Sequence, residues 1–306
     1  MVNEPSLWRR WELPTWGVAA AIYGAWAGLA LAWNALPAWV SIPVMAWLLA
    51  WHGSLQHETI HGHPTRIAWI NAALGTPPVA LWLPYPLYRS SHLTHHCDED
   101  LTIPAVDPES YYVRAQDWAR ASAPMRLLLT FHHTLLGRFL LGPALALRRF
   151  GGSELAHLAR GEHLGVWVSH IVFAVPVLAF LWYCQISPWG YALACYFSIS
   201  LTQVRSFAEH KASTAAETRT AIVEAAWPMA LLFLNNNLHA RHHARPDLPW
   251  YELPRFHREA AIWEGLRYEG YAEIAARFLV TPVDRPVRFM DLPKDASAVA
   301  ETLAKA

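Results

Sequence analysis

Two long uncharged stretches dominate the pattern of hydrophobic and polar positions along the chain. Residues 13–57 form a run of 45 without Asp, Glu, Lys or Arg, and residues 163–204 form a second run of 42. A bilayer core needs about 20 apolar residues per helix, so each run is long enough to cross a membrane twice. Pro37 and Pro188 interrupt the runs near their middles, and proline disfavours helix continuation because it lacks a backbone donor. The pattern therefore predicts two helical hairpins.

The predicted fold is all-α and integral to the membrane, with four transmembrane helices in two hairpins. The expected spans are residues 16–33, 38–56, 164–184 and 188–206. All 24 Lys and Arg residues lie outside the two uncharged stretches, so both termini and the central loop share one basic side. The positive-inside bias makes that side cytoplasmic. We expect one domain over residues 1–306, in which the remaining helices form a cytoplasmic cap.

Composition supports the membrane class and narrows the chemistry. Hydrophobic residues make up 54% of the 306 residues, and the mean hydropathy is +0.14. Lys plus Arg and Asp plus Glu both number 24, and this zero net charge gives no indication of a nucleic-acid partner. The three cysteines lack the spacing of a disulfide framework or a thiolate zinc site. The unusual feature that remains is the spacing of the 17 histidines.

Three histidine clusters each follow a hydrophobic stretch: His57-Glu-Thr-Ile-His61, His92-Leu-Thr-His95-His96 and His239-Ala-Arg-His242-His243. In a helix, residues four apart share a face, so His57 and His61 can bind one metal ion. In each H-x-x-H-H cluster we expect the first two histidines to share a face. The third is rotated by about 100° from the second and is expected to serve a neighbouring ion. Eight imidazoles in this arrangement predict two metal ions.

Two rival metal sites use some of the same residues. The first cluster is also an H-E-x-x-H motif, which in a membrane zinc metalloprotease would make Glu58 the general base. That alternative leaves at least five cluster histidines unexplained. Glu58-x-x-His61 and Glu154-x-x-His157 also match the paired motifs of soluble carboxylate-bridged di-iron bundles. This reading ignores both hairpins and the other two clusters.

The three clusters, in this order and joined to four spans, resemble the histidine boxes of the membrane fatty-acid desaturase and hydroxylase superfamily. The resemblance extends over residues 52–254 and implies two non-haem iron ions with about nine histidine ligands. The ninth lies after the last span, where this chain has His210. Some members hold a metal-bound water with an asparagine where this chain has Ser206, and Asn235 is a candidate substitute. The implied ligands are His57, His61, His92, His95, His96, His210, His239, His242 and His243.

The resemblance also implies a reaction and partners. The expected reaction is dioxygen-dependent desaturation of an acyl-lipid or similar alkyl chain, with a carotenoid ketolase or hydroxylase, or an alkyl hydroxylase, as alternatives. No haem-binding domain is visible, so electrons are expected from a separate ferredoxin- or rubredoxin-like donor. The expected location is a bacterial inner membrane, with the active site in the cytoplasm. Apart from the resemblance, four carboxylates are candidates to orient ligand imidazoles, with a solvated loop charge as the alternative for each: Asp98, Asp100, Asp107 and Glu109.

Overall fold

Helices make up most of the chain in the computed structural model, which describes residues 7–96, 100–214, 218–288 and 291. The α-helices are α1 (Leu7–Arg10), α2 (Leu13–Ala32), α3 (Ala38–Ile60), α4 (Ala68–Gly75), α5 (Tyr85–His95), α6 (Ala115–Arg120), α7 (Ala123–His132), α8 (Leu135–Ala159), α9 (Leu164–Tyr183), α10 (Pro188–Ser206), α11 (Trp227–Leu232), α12 (His239–Ala244), α13 (Leu253–Glu259) and α14 (Tyr271–Phe278).

The helices of the two predicted hairpins are present, α2 with α3 and α9 with α10. Helix α2 packs against α3, whereas α10 packs mainly against α3 and α8 rather than against α9. A 3-10 turn over Trp33–Ala35 and an extended Pro37 separate the first pair. The Ser187 hydroxyl accepts a hydrogen bond from the Gly190 backbone N–H and caps α10. Asn34 donates its side-chain amide to the Cys184 carbonyl at 3.0 Å, which joins the tips of the two hairpins. Helix α3 continues beyond the predicted end of its span and carries His57 into a helical turn.

Within the part of the chain that the structure describes, three helical segments are long and apolar enough to cross a membrane: Leu13–Ala35, Ala38–Ile60 and Leu164–Tyr183. The fourth predicted span is a helix with the predicted bounds, but it is less apolar than the other three. Polar side chains explain the difference, because α10 ends with Gln203 and Arg205 and buries the hydroxyls of Ser198 and Ser200. Length and composition therefore support three of the four predicted spans, and the crossing of α10 stays a prediction.

A small parallel sheet departs from the all-α prediction. Strand β1 (Ala221–Val223) pairs with β2 (Leu266–Tyr268), with Ile222 opposite Arg267. An isolated antiparallel bridge joins His210 to Thr220 just before β1. Strands of three residues are too short to show the alternation by which a strand is recognised in sequence. Strand β1 matters for the site because the Ala221 N–H donates to the Glu209 carbonyl and the Val223 N–H donates to the Asn237 carbonyl, close in sequence to His210 and His239.

Packing between α3 and the end of α11 brings the first and third histidine clusters together. Leu232 and Phe233, at the end of α11, pack against Ala50 of α3 in one buried hydrophobic cluster. The Ser54 hydroxyl of α3 donates to the Leu232 carbonyl at 2.7 Å. These contacts hold the segment that precedes the third histidine cluster against the helix that carries the first.

Candidate metal centre

The nine predicted ligand histidines converge in two groups. The five-histidine group contains His57, His61, His92, His96 and His242, and the four-histidine group contains His95, His210, His239 and His243. Within each group, one nitrogen from every ring lies within 4.8 Å of the others, an arrangement that can hold a metal ion. The groups adjoin, since the rings of His96 and His243 stack with centroids 4.4 Å apart.

The division of each H-x-x-H-H cluster differs from the prediction. His92 and His96 belong to the five-histidine group, whereas His95 belongs to the other. Likewise, His239 and His243 share a group, and His242 joins the other one. The prediction that the first two histidines share an ion was wrong. Residues four apart differ by only about 40° around a helix, whereas residues three apart differ by about 60° in the opposite direction.

Close contacts between Nε2 atoms characterise both groups. In the five-histidine group, the Nε2 atom of His92 lies 2.9 Å from that of His61 and 3.0 Å from that of His96. In the four-histidine group, the Nε2 atom of His210 lies 3.0 Å from that of His95 and 2.9 Å from that of His239. Ring nitrogens at these distances must share a proton or a cation.

Hydrogen bonds at the other ring nitrogens show that protons cannot satisfy all of these contacts. The Nδ1–H of His92 donates to Glu109 at 3.0 Å, so its Nε2 has one lone pair for two approaching nitrogens. The Nδ1–H of His210 donates to the Arg219 carbonyl, and the Nδ1–H of His239 donates to the Asn236 side-chain oxygen. Their Nε2 atoms therefore face each other with lone pairs. A metal cation in each group would resolve the conflict.

Two of the four predicted carboxylates orient ligand histidines. Asp107 accepts the Nδ1–H of His95 at 2.9 Å, and Glu109 accepts that of His92. Asp107 is itself fixed by the backbone N–H groups of Thr102 and Glu109, each at 2.9 Å. The structure gives Asp100 no hydrogen bond or ion pair with these histidines, and Asp98 lies outside the described residues.

Asn236 is a contact that sequence reasoning missed. Its side-chain oxygen lies 3.0 Å from Nδ1 of His239, and its nitrogen lies 3.2 Å from Nε2 of His57, so it touches both groups. The candidate Asn235 instead donates to the Trp250 carbonyl. Ser206 and His210 line a small cavity of about 10 Å³, close to the space that one water molecule needs. The sequence signal that could have indicated Asn236 is the run of three asparagines before the third cluster.

Burial and mutual repulsion keep most of these imidazoles neutral. Burial, together with His92, lowers the pKa of His61 to about 3. The pKa values of His210, His239 and His242 are well below the ordinary value for the same reasons, burial and neighbouring histidines. His95 differs, because Glu109 and Asp107 outweigh the effect of burial and raise its pKa to about 9. Neutral imidazoles retain the lone pair that a metal requires.

The residues of the two rival sites do not assemble as those readings require. Glu58 is outside both histidine groups, and its carboxylate accepts the Trp250 backbone N–H at 3.1 Å. His57 and His61 share their group with three more histidines, which exceeds the usual ligand set of a zinc protease. Glu154 and His157 form a separate group with His163, so the two E-x-x-H motifs do not converge on one centre.

Comparison with known proteins agrees with this geometry. A search of curated proteins gives no match to the chain. The family model described as "Fatty acid desaturase" matches residues 31–274, a range that contains all nine histidines of the two groups. Because that match extends over most of the chain, the protein belongs to the fatty acid desaturase family.

Proposed function

We propose that the protein is a membrane-bound di-iron enzyme that uses dioxygen to desaturate the alkyl chain of an acyl-lipid or similar lipid. Membership of the fatty acid desaturase family implies an oxidoreductase that acts on lipids. The observation that carries the di-iron proposal is the convergence of nine imidazoles in two adjoining groups. The Nε2 lone pairs of His210 and His239 face each other at 2.9 Å, a contact that a bound cation would reconcile.

The donor set fits two iron ions. The five-histidine group would hold one iron and the four-histidine group the other. Imidazole suits iron, copper and zinc, so the family supplies the argument for iron. When bound, the two irons supply the dioxygen-derived oxidant that removal of hydrogen from an unactivated methylene requires.

The side chains around the groups hold the ligands in place and keep water away. Asp107, Glu109 and Asn236 fix the ring orientation and tautomer of His95, His92 and His239. Such partners raise ligand basicity and maintain coordination geometry. The ligands themselves are largely buried, and those three histidines have at most 2% of their surface exposed. A site of this kind limits solvent access while a substrate carbon is positioned.

The substrate is proposed to reach the site from the bilayer. Helix α9 exposes large apolar side chains along much of its length, including Val168, Ile171, Val172 and Leu178. Trp39, Trp182 and Trp189, near the two hairpin tips, are between 78% and 86% exposed, as residues of an interfacial aromatic belt are. We propose that α2, α3, α9 and α10 all cross the membrane and that the termini and the histidines are cytoplasmic.

The proposed topology predicts where reporter fusions will be active. A periplasmic reporter joined after Asn34 or after Ser187 should be active, because both positions are at the uncharged hairpin tips. The same reporter joined after Ala159, between α8 and α9, should be inactive. Cytoplasmic signals from both tip fusions would contradict the two-hairpin topology.

Profiling of lipids and carotenoids tests the proposed reaction. Cells that express the chain should accumulate acyl chains with an additional double bond, and cells without it should not. A variant with His57 and His61 both replaced by alanine is the matched control, because it removes two ligands of one group. A new hydroxyl or keto group on a carotenoid or alkane, with no new double bond, would mean that the enzyme catalyses one of the alternative reactions and not desaturation.

A further inference from the structure

A surface cleft with a volume of about 520 Å³ opens between α6, α7 and residues 282–287. The backbone N–H of Val113 donates to the Pro286 carbonyl at 2.7 Å and holds one wall of the cleft against the chain that follows Ser110. We call this feature the Trp118 cleft. Its lining residues are Trp118, Thr130, Pro282, Asp284, Arg285, Pro286 and Val287.

Two stacked tyrosines connect the Trp118 cleft to the four-histidine group. The Tyr112 hydroxyl donates to the Asp284 carboxylate at 2.8 Å, and Asp284 lines the cleft. The rings of Tyr112 and Tyr111 stack with centroids 4.9 Å apart. The Tyr111 hydroxyl then donates to the His210 carbonyl at 2.7 Å. Three consecutive contacts therefore lead from the protein surface to a histidine of the centre.

The rim of the Trp118 cleft carries an excess of positive charge among the described residues. Arg126 lies over the Trp118 ring, with its guanidinium carbon 5.6 Å from the ring centroid. Arg285 lines the cleft, and the exposed Arg114 and Arg120 are at the two ends of α6, the helix that carries Trp118. Against these four arginines stand two carboxylates, Asp117, which pairs with Arg114, and Asp284. Such a field favours a partner with an acidic surface and raises its association rate.

The redox balance of the proposed desaturation requires such a partner, and this inference rests on that proposed function. Loss of two hydrogen atoms from the lipid provides two electrons and two protons. Reduction of one dioxygen molecule to two waters consumes four of each, so two electrons and two protons must come from outside the substrate. The tyrosine path is packed with side chains and Tyr112 is only 5% exposed, so the path has no room for a lipid. Electron transfer, unlike the passage of a lipid, needs only the contacts between the side chains of this path.

We propose that the Trp118 cleft is the docking site of an acidic one-electron carrier protein of the iron–sulfur class. Tyr112 and Tyr111 connect the docked carrier to His210. Each docking event oxidises the carrier by one electron, and two events complete the balance. Protons come from solvent.

Binding of a plant-type [2Fe–2S] ferredoxin to the iron-loaded protein in nanodiscs tests the docking site. Arg120→Glu combined with Arg285→Glu should weaken the Kd by about tenfold at low ionic strength, since each exposed charge pair contributes modestly. Added salt should weaken wild-type binding as well. The control combines Arg66→Glu with Arg258→Glu, exposed arginines elsewhere on the chain, and should leave the Kd unchanged. Equal affinity of wild type and the cleft variant would overturn the proposal.

Two further experiments test the tyrosine path and the identity of the partner that binds the cleft separately. With saturating ferredoxin, Tyr111→Phe should slow reduction of the centre, followed by absorbance, while the Kd stays at the wild-type value. An unchanged rate would overturn the tyrosine path. If the cleft variant instead loses retention on vesicles rich in anionic lipid and still binds ferredoxin, the cleft faces the membrane and the docking proposal fails.

The proposed function is tested separately in the same preparations. Wild-type protein reduced with dithionite needs no carrier, so it should form oxidised lipid in a single turnover. Failure of this step would reject the desaturase proposal, whereas failure of the ferredoxin binding step would reject the docking proposal alone.

Discussion

His95→Ala and His242→Ala should each abolish lipid oxidation. His95 belongs to the four-histidine group and His242 to the five-histidine group, so each change removes a ligand from a different proposed iron. Loss of a partner that only orients a ligand typically costs about 10–100-fold in metal affinity or activity, and we expect loss of a ligand to cost more. The measurement is product formation in membranes supplied with a reductant, together with iron content and expression level.

Two control variants, each outside both histidine groups, should retain activity. Glu58→Gln should retain activity, because the Glu58 carboxylate is held by Trp250 and lies outside both histidine groups. In a zinc protease that uses Glu58 as the general base, the same change would abolish turnover. His257→Ala, which removes a histidine paired with Glu224 at the protein surface, should also retain activity. Wild-type oxidation by His95→Ala and His242→Ala would rule out the di-iron account.

Asp107→Asn should lower the affinity for iron by about 10–100-fold, the usual effect of losing a partner behind a ligand histidine. Asp107 is 2% exposed, and its two oxygens accept hydrogen bonds from His95, Thr102 and Glu109. An asparagine has only one acceptor oxygen, so its amide nitrogen would face an N–H donor in a buried place. An unsatisfied buried donor of this kind costs about 1–3 kcal/mol.

Iron retention during dialysis against a chelator measures the effect of Asp107→Asn. Asp100→Asn is the matched control, since Asp100 is in the same loop and the structure gives it no bond to the nine histidines. We expect the Asp107 variant to lose iron at a lower chelator concentration than wild type and the Asp100 variant to behave as wild type. Equal retention by all three proteins would mean that Asp107 does not support the centre.

The helices of the two predicted hairpins were predictable from sequence because uncharged runs interrupted by proline are a strong local signal. The predicted spans of residues 38–56 and 188–206 correspond to helices Ala38–Ile60 and Pro188–Ser206. The weaker apolar character of α10 follows from its composition, which includes Gln203 and Arg205, whereas the burial of its Ser198 and Ser200 depends on packing against other helices. The parallel pairing of β1 with β2 joins segments far apart in sequence, and no local pattern shows it.

The histidines of the candidate site could be predicted from sequence, but their division between the two groups could not. The cluster spacing identified eight of the histidines, and the family resemblance added His210, which lies in the four-histidine group. The choice of His96 rather than His95 as the partner of His92 depends on a small angular difference within one helix. Asn236 could be distinguished from Asn235 only by the turn before α12, where backbone geometry decides which amide faces the histidines.

The metal content of the purified protein tests the central claim most directly. Protein isolated in detergent and analysed by elemental mass spectrometry should contain one iron for each histidine group, about two per chain, and its activity should rise with iron content. Removal of the iron should abolish lipid oxidation, and restoration of ferrous iron should recover it. A preparation that retains full activity with a single tightly bound zinc ion and no iron would contradict the account.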